Sequence, residues 1–227
     1  MQRFIPLLLL SLCAATTGAE QYTPDVAEFD GTTSFTFDPS PQLVLADGGT
    51  IEFWVVPDWT SDPGYDPVII CNAGPEGASY LVAMLRDRDG IAIAAGEDED
   101  VVTFDFSDGQ LHHVAVVQYE DGTAVFVDGE VAGTSDLRFQ DLPSVGVWVG
   151  SIDGENNAFR GAIAGLRVWD VAVPQEELVA YALEDIFAGD HPDLAWLSAI
   201  SDFRAGELLL VEAESAAMAA EEGEPDE

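Results

Sequence analysis

The dipeptide Asp-Gly occurs at 30–31, 47–48, 89–90, 108–109, 121–122, 128–129 and 153–154, each time between short apolar runs. Glycine takes positive φ at no steric cost, and the aspartate side chain bonds the backbone just ahead of it. The pair between apolar segments therefore signals a chain reversal. Repeated at this density, it predicts a meandering antiparallel domain rather than a helical body.

The runs between these turns read as strands over 27–29, 34–37, 50–56, 68–72, 80–86, 91–95, 101–106, 111–119, 124–127, 145–150 and 162–169. Their short, regular spacing is that of a sandwich or barrel. Several are apolar on both faces, as expected when two sheets stack and loops cover part of an outer face. Val102, Phe104 and Phe106 alternate onto one face. A short C-terminal helix is predicted from Pro174, with Glu176 and Glu177 in the first turn, where the helix dipole favours anions. Leu178, Val179, Tyr181, Ala182 and Ile186 follow at helical spacing. Leu194, Trp196, Leu197 and Ile200 suit a second short helix, and Leu208 to Val211 a last edge strand.

The two ends read differently. Residues 1–19 have the form of a secretory signal: Arg3, a short apolar run from Phe4 to Leu12, and Thr17-Gly18-Ala19 before the expected cut. A lipoprotein anchor at Cys13 is the alternative, but Leu12 stands where such signals need a small residue. The domain with its helical extension is placed at 20–211. The Ala/Glu-rich segment 212–227 is read as an acidic, disordered tail. The expected location is secreted or periplasmic in a bacterium, with no membrane span. Loss of Cys13 with the signal leaves Cys71 alone in the run Val68-Ile69-Ile70-Cys71, so it reads as a small buried hydrophobe.

Charge narrows the partners. The chain has 43 acidic residues, seven arginines, no lysine and a net charge of −36. Such a surface repels nucleic acid and anionic lipid. Most of this charge reads as solvation, with a few carboxylates left as candidate cation ligands.

The order of the motifs resembles a known family. Phe29-Asp30-Gly31 ends a first strand, and Thr50 to Pro57 is an aromatic-rich strand stopped by proline. Leu111-His112-His113-Val114-Ala115-Val116, the hairpin Ala124 to Gly129, Val147-Trp148-Val149-Gly150, Phe159 to Trp169 and Pro174 to Leu178 then follow in turn. Over about residues 26–182 this resembles the concanavalin A-like/laminin G-like jelly rolls. The resemblance implies an all-β, two-sheet antiparallel jelly-roll sandwich. It also implies carbohydrate or protein binding, often with Ca²⁺ at the sandwich rim, and glycosidase activity in some relatives. Leu111 replaces the family's usual tryptophan, and Ala164-Gly165 stands where acidic residues are usual.

Individual residues sharpen these expectations. Adjacent strand residues His112 and His113 point to opposite faces and cannot chelate one ion together, so both read as structural. Glu97-Asp98-Glu99-Asp100 reads as a hairpin loop, too exposed to separate two carboxyl pKa values for glycoside hydrolysis. No Gly-x-Ser-x-Gly elbow is present. The candidate ligand-binding residues are Trp59, Tyr65, Asp62 and Asp66, aromatics in a polar loop with carboxylates beside them, while Trp54 and Trp148 read as core. The candidate Ca²⁺ ligands are Asp30, Asp153, Asn156 and Asp170. Asp30 and Asp170 bracket the domain ends and would approach each other if the first and last strands pair. The functional expectation is an exported module that binds carbohydrate or an extracellular or envelope protein, with Ca²⁺ as its candidate cofactor. An envelope assembly domain is the alternative and a glycoside hydrolase the minor one.

Overall fold

The structure, a computed structural model, describes residues 27–182, 191–197 and 209–210. The signal-like segment and the acidic tail lie outside these residues. Fourteen strands form two antiparallel sheets. In chain order they are β1 Ala27–Asp30, β2 Phe35–Phe37, β3 Gly49–Pro57, β4 Val68–Gly74, β5 Gly77–Met84, β6 Gly90–Gly96, β7 Asp98–Thr103, β8 His112–Tyr119, β9 Gly122–Val127, β10 Glu130–Ser135, β11 Gly146–Val149, β12 Arg160–Trp169, β13 Leu194–Leu197 and β14 Leu209–Leu210. The larger sheet runs β10-β9-β8-β3-β12-β13-β14, with β1 sharing the β13 side of β12. The smaller runs β2-β11-β4-β5-β6-β7. A single α-helix among the described residues, α1 Gln175–Tyr181, follows Pro174. This is the two-sheet jelly-roll sandwich that the family resemblance implied, and it agrees with the antiparallel body expected from the turn pattern.

Strand alternation assigns every layer. Ile51, Phe53 and Val55 of β3, Val114 and Val116 of β8, and Ile163 and Val168 of β12 meet Tyr80, Val82, Met84, Ile91 and Ile93 of the smaller sheet in one core. Burying such side chains is worth about 1.5–3 kcal/mol each and supplies the main driving force for the fold. The alternate residues of the larger sheet face outward. At one end Ala115, Val117, Phe126 and Trp169 pack beneath Val173 and Leu178 of the α1 segment in a second apolar layer. At the other end none of the described residues covers the face.

The Asp-Gly copies do not all make hairpins. Asp128-Gly129 closes β9 onto β10 as a two-residue turn with φ of 51° and 81°, the primed geometry that matches strand twist. Asp30-Gly31 and Asp153-Gly154 instead end strands or lie in connections between sheets, where the carboxylates accept from backbone amides ahead of them.

Several local expectations are corrected. Asp98, Glu99 and Asp100 belong to strand β7, not to a loop, because Gly96, at φ 62°, lets the chain reverse at Gly96-Glu97 and pair Ala95 with Asp98. Phe104 and Phe106 leave the β7 ladder, yet Val102 and Phe106 remain in the core with Phe104 packed against it. Leu194 to Leu197 is a strand paired with β12, because the edge beside Arg167–Trp169 takes a partner more readily than a short helix forms alone. Strand β10 was not foreseen, since Glu130 to Ser135 lacks an apolar alternation. Trp54 and Trp148 are half-buried on outer faces, and among the tryptophans whose burial is described Trp169 is the fully buried one. His112 and His113 face opposite sides as expected, but both are buried. Cys71 is buried, and burial pushes its thiol up to about 12.

Candidate functional site

The uncovered end of the larger sheet is built from three adjacent chain segments. Asp30 of β1 stands opposite Arg160 of β12 in the ladder, and the Asp58 amide, just past β3, donates to the Arg160 carbonyl at 2.9 Å. This register sets a guanidinium between two carboxylates. Alternation turns all three outward, together with Glu28, Val56 and Ala162, while Ala27, Phe29 and Val55 face the core. Arg160 Nε donates to Asp58 Oδ2 at 2.7 Å.

Two cavities share Asp30, Asp58 and Arg160. One, about 190 Å³, is walled by Trp59, Ser61, Pro63, Tyr65, Pro67 and Ala158. The other, a wider trough of about 370 Å³, lies over Glu28, Val56, Pro57, Gly161 and Ala162. The wall of the first is pinned from several sides. Tyr65 Oη donates to the Ala158 carbonyl at 3.2 Å, and Asn157 Nδ2 to the Asp66 carbonyl at 3.0 Å. From the β5–β6 connection, Arg86 donates to the Gly64 carbonyl and Arg88 to the Trp59 carbonyl. The Arg88 guanidinium also lies 5.8 Å above the Trp59 ring, a cation–π contact.

Hydrogen bonding favours the ionised form of both shared carboxyl groups. Side-chain and backbone donation from Thr32, then from Thr33, holds Asp30 well below the usual carboxylate range. Donation from Thr60 and then from Arg160 does the same for Asp58.

The candidate ligand residues separate into two groups. Trp59 and Tyr65 line the smaller cavity, although Trp59 also leans on the core. Asp62 and Asp66 serve the loop itself: Asp62 accepts from the Gly64 amide and Asp66 from the Arg86 amide, both at 2.8 Å. Asp58 and Arg160 were not singled out from the sequence. Arg160 was discoverable as one of few cations, but its partner stands 102 positions away.

The four candidate calcium ligands do not form one site. Asp30 and Asp170 lie at opposite ends of β12, because β1 pairs at Arg160–Ile163 and Asp170 follows Trp169. Asp153 accepts from the Glu155 and Asn156 amides and from Asn156 Nδ2, which occupies its oxygens within the turn. Among the described residues, no group of three His, Cys, Asp or Glu side chains is gathered to hold an ion. The set does not fit Ca²⁺, which takes six to eight converging oxygens.

At the covered end, the same two strands hold Glu52, wholly buried, opposite Arg167. Glu52 accepts from Trp169 Nε1 at 2.9 Å and from Arg167 at 3.2 Å, and lies 3.0 Å from His113 Nε2. Burial works against its charge, but His113 and Arg167 outweigh this and leave its pKa lowered. Arg167 also donates to the Tyr181 carbonyl of α1, whose ring stacks on Trp169 at 4.9 Å.

A laminin G-type family model, described as the concanavalin A-like lectin/glucanases superfamily, matches residues 29–179. The chain belongs to the concanavalin A-like lectin/glucanase superfamily. Solved structures with this jelly roll include a candidate carbohydrate-binding protein from Bacteroides ovatus, at 19% identity and TM-score 0.63 over 78% of this chain and 52% of that one. A pentraxin from Limulus polyphemus matches at 16% identity and TM-score 0.54, over 69% and 81% of the two chains. A sialidase from Trypanosoma rangeli matches at 14% and 0.56, over 72% and 28%. The chain thus spans about half of the first structure and about a quarter of the third, and likeness at these identities shows the fold alone. No curated protein matches it. Among the described residues of this superfamily member, no helix is long and apolar enough to cross a membrane.

Proposed function

We propose that this lectin-like domain is an exported carbohydrate-binding module whose ligand sits at the uncovered rim around Asp58 and Arg160. The observation that carries this reading is the coincidence, in one recess, of an aromatic wall from Trp59 and Tyr65 with a guanidinium and carboxylates. Aromatic faces take the apolar face of a sugar ring, while carboxylates accept from hydroxyls and the arginine donates to ring and hydroxyl oxygens. The pinned loop means that little ordering remains to be done on binding. The Bacteroides ovatus neighbour, itself a candidate carbohydrate binder, supports the same reading. Export rests on the signal-like form of residues 1–19.

The recess favours binding over hydrolysis. A glycosidase needs one carboxyl that keeps its proton near neutral pH. Asp30 and Asp58 are both held in the opposite direction, Asp58 by a direct 2.7 Å contact with Arg160.

The test is a glycan array probed with the whole protein and with Arg160→Gln. Binding of a defined set of sugars that Arg160→Gln abolishes supports the assignment. Failure of the wild-type protein to bind any glycan, or full binding by the variant, overturns it.

A further inference from the structure

We infer that the site reads the free end of an uncharged glycan chain, with the terminal ring in the closed recess and the next ring on the trough beside it. This rests on the carbohydrate reading above and adds which part of a chain is held and which sugars are refused. The two cavities share Asp30, Asp58 and Arg160 in their linings, so ligands in the two lie next to each other across that row. Their shapes differ. The recess is walled by the 58–67 loop, which is fastened to Ala158, Asn157, Arg86 and Arg88, so a chain entering from the trough side runs against that wall. The trough has no such wall. Its floor is Val56 and Ala162 on neighbouring strands, two side chains short enough to leave the sheet surface flat. A flat apolar floor flanked by polar groups suits a sugar ring lying on its face.

Charge sets the second half of the inference. Glu28, Asp30 and Asp58 stand around a single cation, Arg160, whose Nε is already given to Asp58. The whole chain adds a net charge of −36. A uronic acid, a sialic acid or a sulfated sugar would enter against both the local and the long-range field. A neutral ring instead meets acceptors for its hydroxyls and the remaining guanidinium N–H groups as donors.

The experiment uses the whole protein and calorimetric titration. Its probes are linear gluco-, xylo-, manno-, galacto- and N-acetylglucosamine oligosaccharides of one to six units. Reducing-end-modified, non-reducing-end-blocked and cyclic counterparts, polygalacturonate and sialyllactose complete the set. Within whichever neutral series binds, two units should bind at least tenfold more tightly than one, with no gain beyond three. Blocking one chain end, and not the other, should cost at least tenfold, and the anionic probes should not bind. Ala162→Phe, which fills the half-exposed trough floor, should lower two-unit affinity to the one-unit level. Affinity that climbs to six units, equal binding of cyclic or doubly blocked chains, or preference for an anionic probe overturns the end-reading while leaving carbohydrate binding intact. Absence of binding to every probe overturns both.

Discussion

The β3–β12 ladder carries an arginine–carboxylate pair at each end, and the two pairs have opposite surroundings. Glu52–Arg167 lies beneath α1, with side-chain exposures of 0% and 3%. Asp58–Arg160 lies on the uncovered rim at 31% and 52%. The chemistry is the same and the strands are the same, so the difference comes from what packs on the outer face. Where Tyr181 stacks on Trp169, water is excluded and the charges must be matched within the protein by His113, Trp169 and the Tyr181 carbonyl. Where no described element covers the sheet, the pair is exposed to water and has donors and acceptors to offer a ligand. One pair is therefore sealed inside the protein, and the other is open to the recognition role proposed above.

Removing Glu52 should give the largest effect. Glu52→Ala strands Arg167, His113 and Trp169 Nε1 in a dry layer, and should cost about 3–5 kcal/mol of unfolding free energy in urea titrations. A cost below about 1 kcal/mol would break the contrast. Acid should act at the same place. The folded-state pKa of Glu52 is lowered, so its contribution is present above its ordinary value and is lost as pH falls through the folded value. The stability difference between wild type and Glu52→Gln should thus shrink on acidification, and a constant difference down to the acid limit would contradict the assignment.

The rim pair should respond differently. Arg160→Gln should change stability by less than about 1 kcal/mol while lowering affinity for the bound glycan about tenfold or more, equivalent to about 1.4 kcal/mol. A large stability loss with affinity intact would exchange the roles of the two ends.

A smaller effect of opposite pH sign belongs to His112. Burial opposes its charge, yet Asp128 Oδ2 at 2.7 Å and Asp108 Oδ1 at 3.2 Å outweigh this and raise its pKa. Its contribution is therefore full below about pH 6.5, the ordinary histidine value, and is lost as pH rises through the folded value. Melting curves of His112→Gln against wild type should converge toward alkaline pH, and a gap that widens there would refute the pairing. Calcium should do least. The four candidate ligands do not converge, so millimolar CaCl₂ should leave the melting temperature unchanged beyond an ionic-strength control. A specific rise would reinstate a cation site by linkage.

Much of this contrast was invisible from the chain alone, for a physical reason that individual residues make plain. Trp59 and Tyr65 could be read as site residues because an aromatic in a polar loop is conspicuous in itself. Asp62 and Asp66 stood beside them and were read the same way, yet Asp62 bonds the Gly64 amide two residues on, and Asp66 bonds the amide of Arg86 in the β5–β6 connection. Asp30 was grouped with Asp170 on the idea that chain ends meet, but the antiparallel β1–β12 register puts it beside Arg160 instead. His113 was read as structural, and Glu52, its partner 61 positions away, gave no separate signal.

By itself, the sequence determined the reversals, the alternation of faces, the antiparallel all-β character and the helix after Pro174. Each depends on bonds or periodicities spanning a few residues, which residue type sets directly. Only the tertiary structure decided which outward residues are covered and which carboxylate meets which arginine. Those outcomes depend on ladder register and on where α1 comes to rest, and both are settled by the burial of side chains distant in the chain.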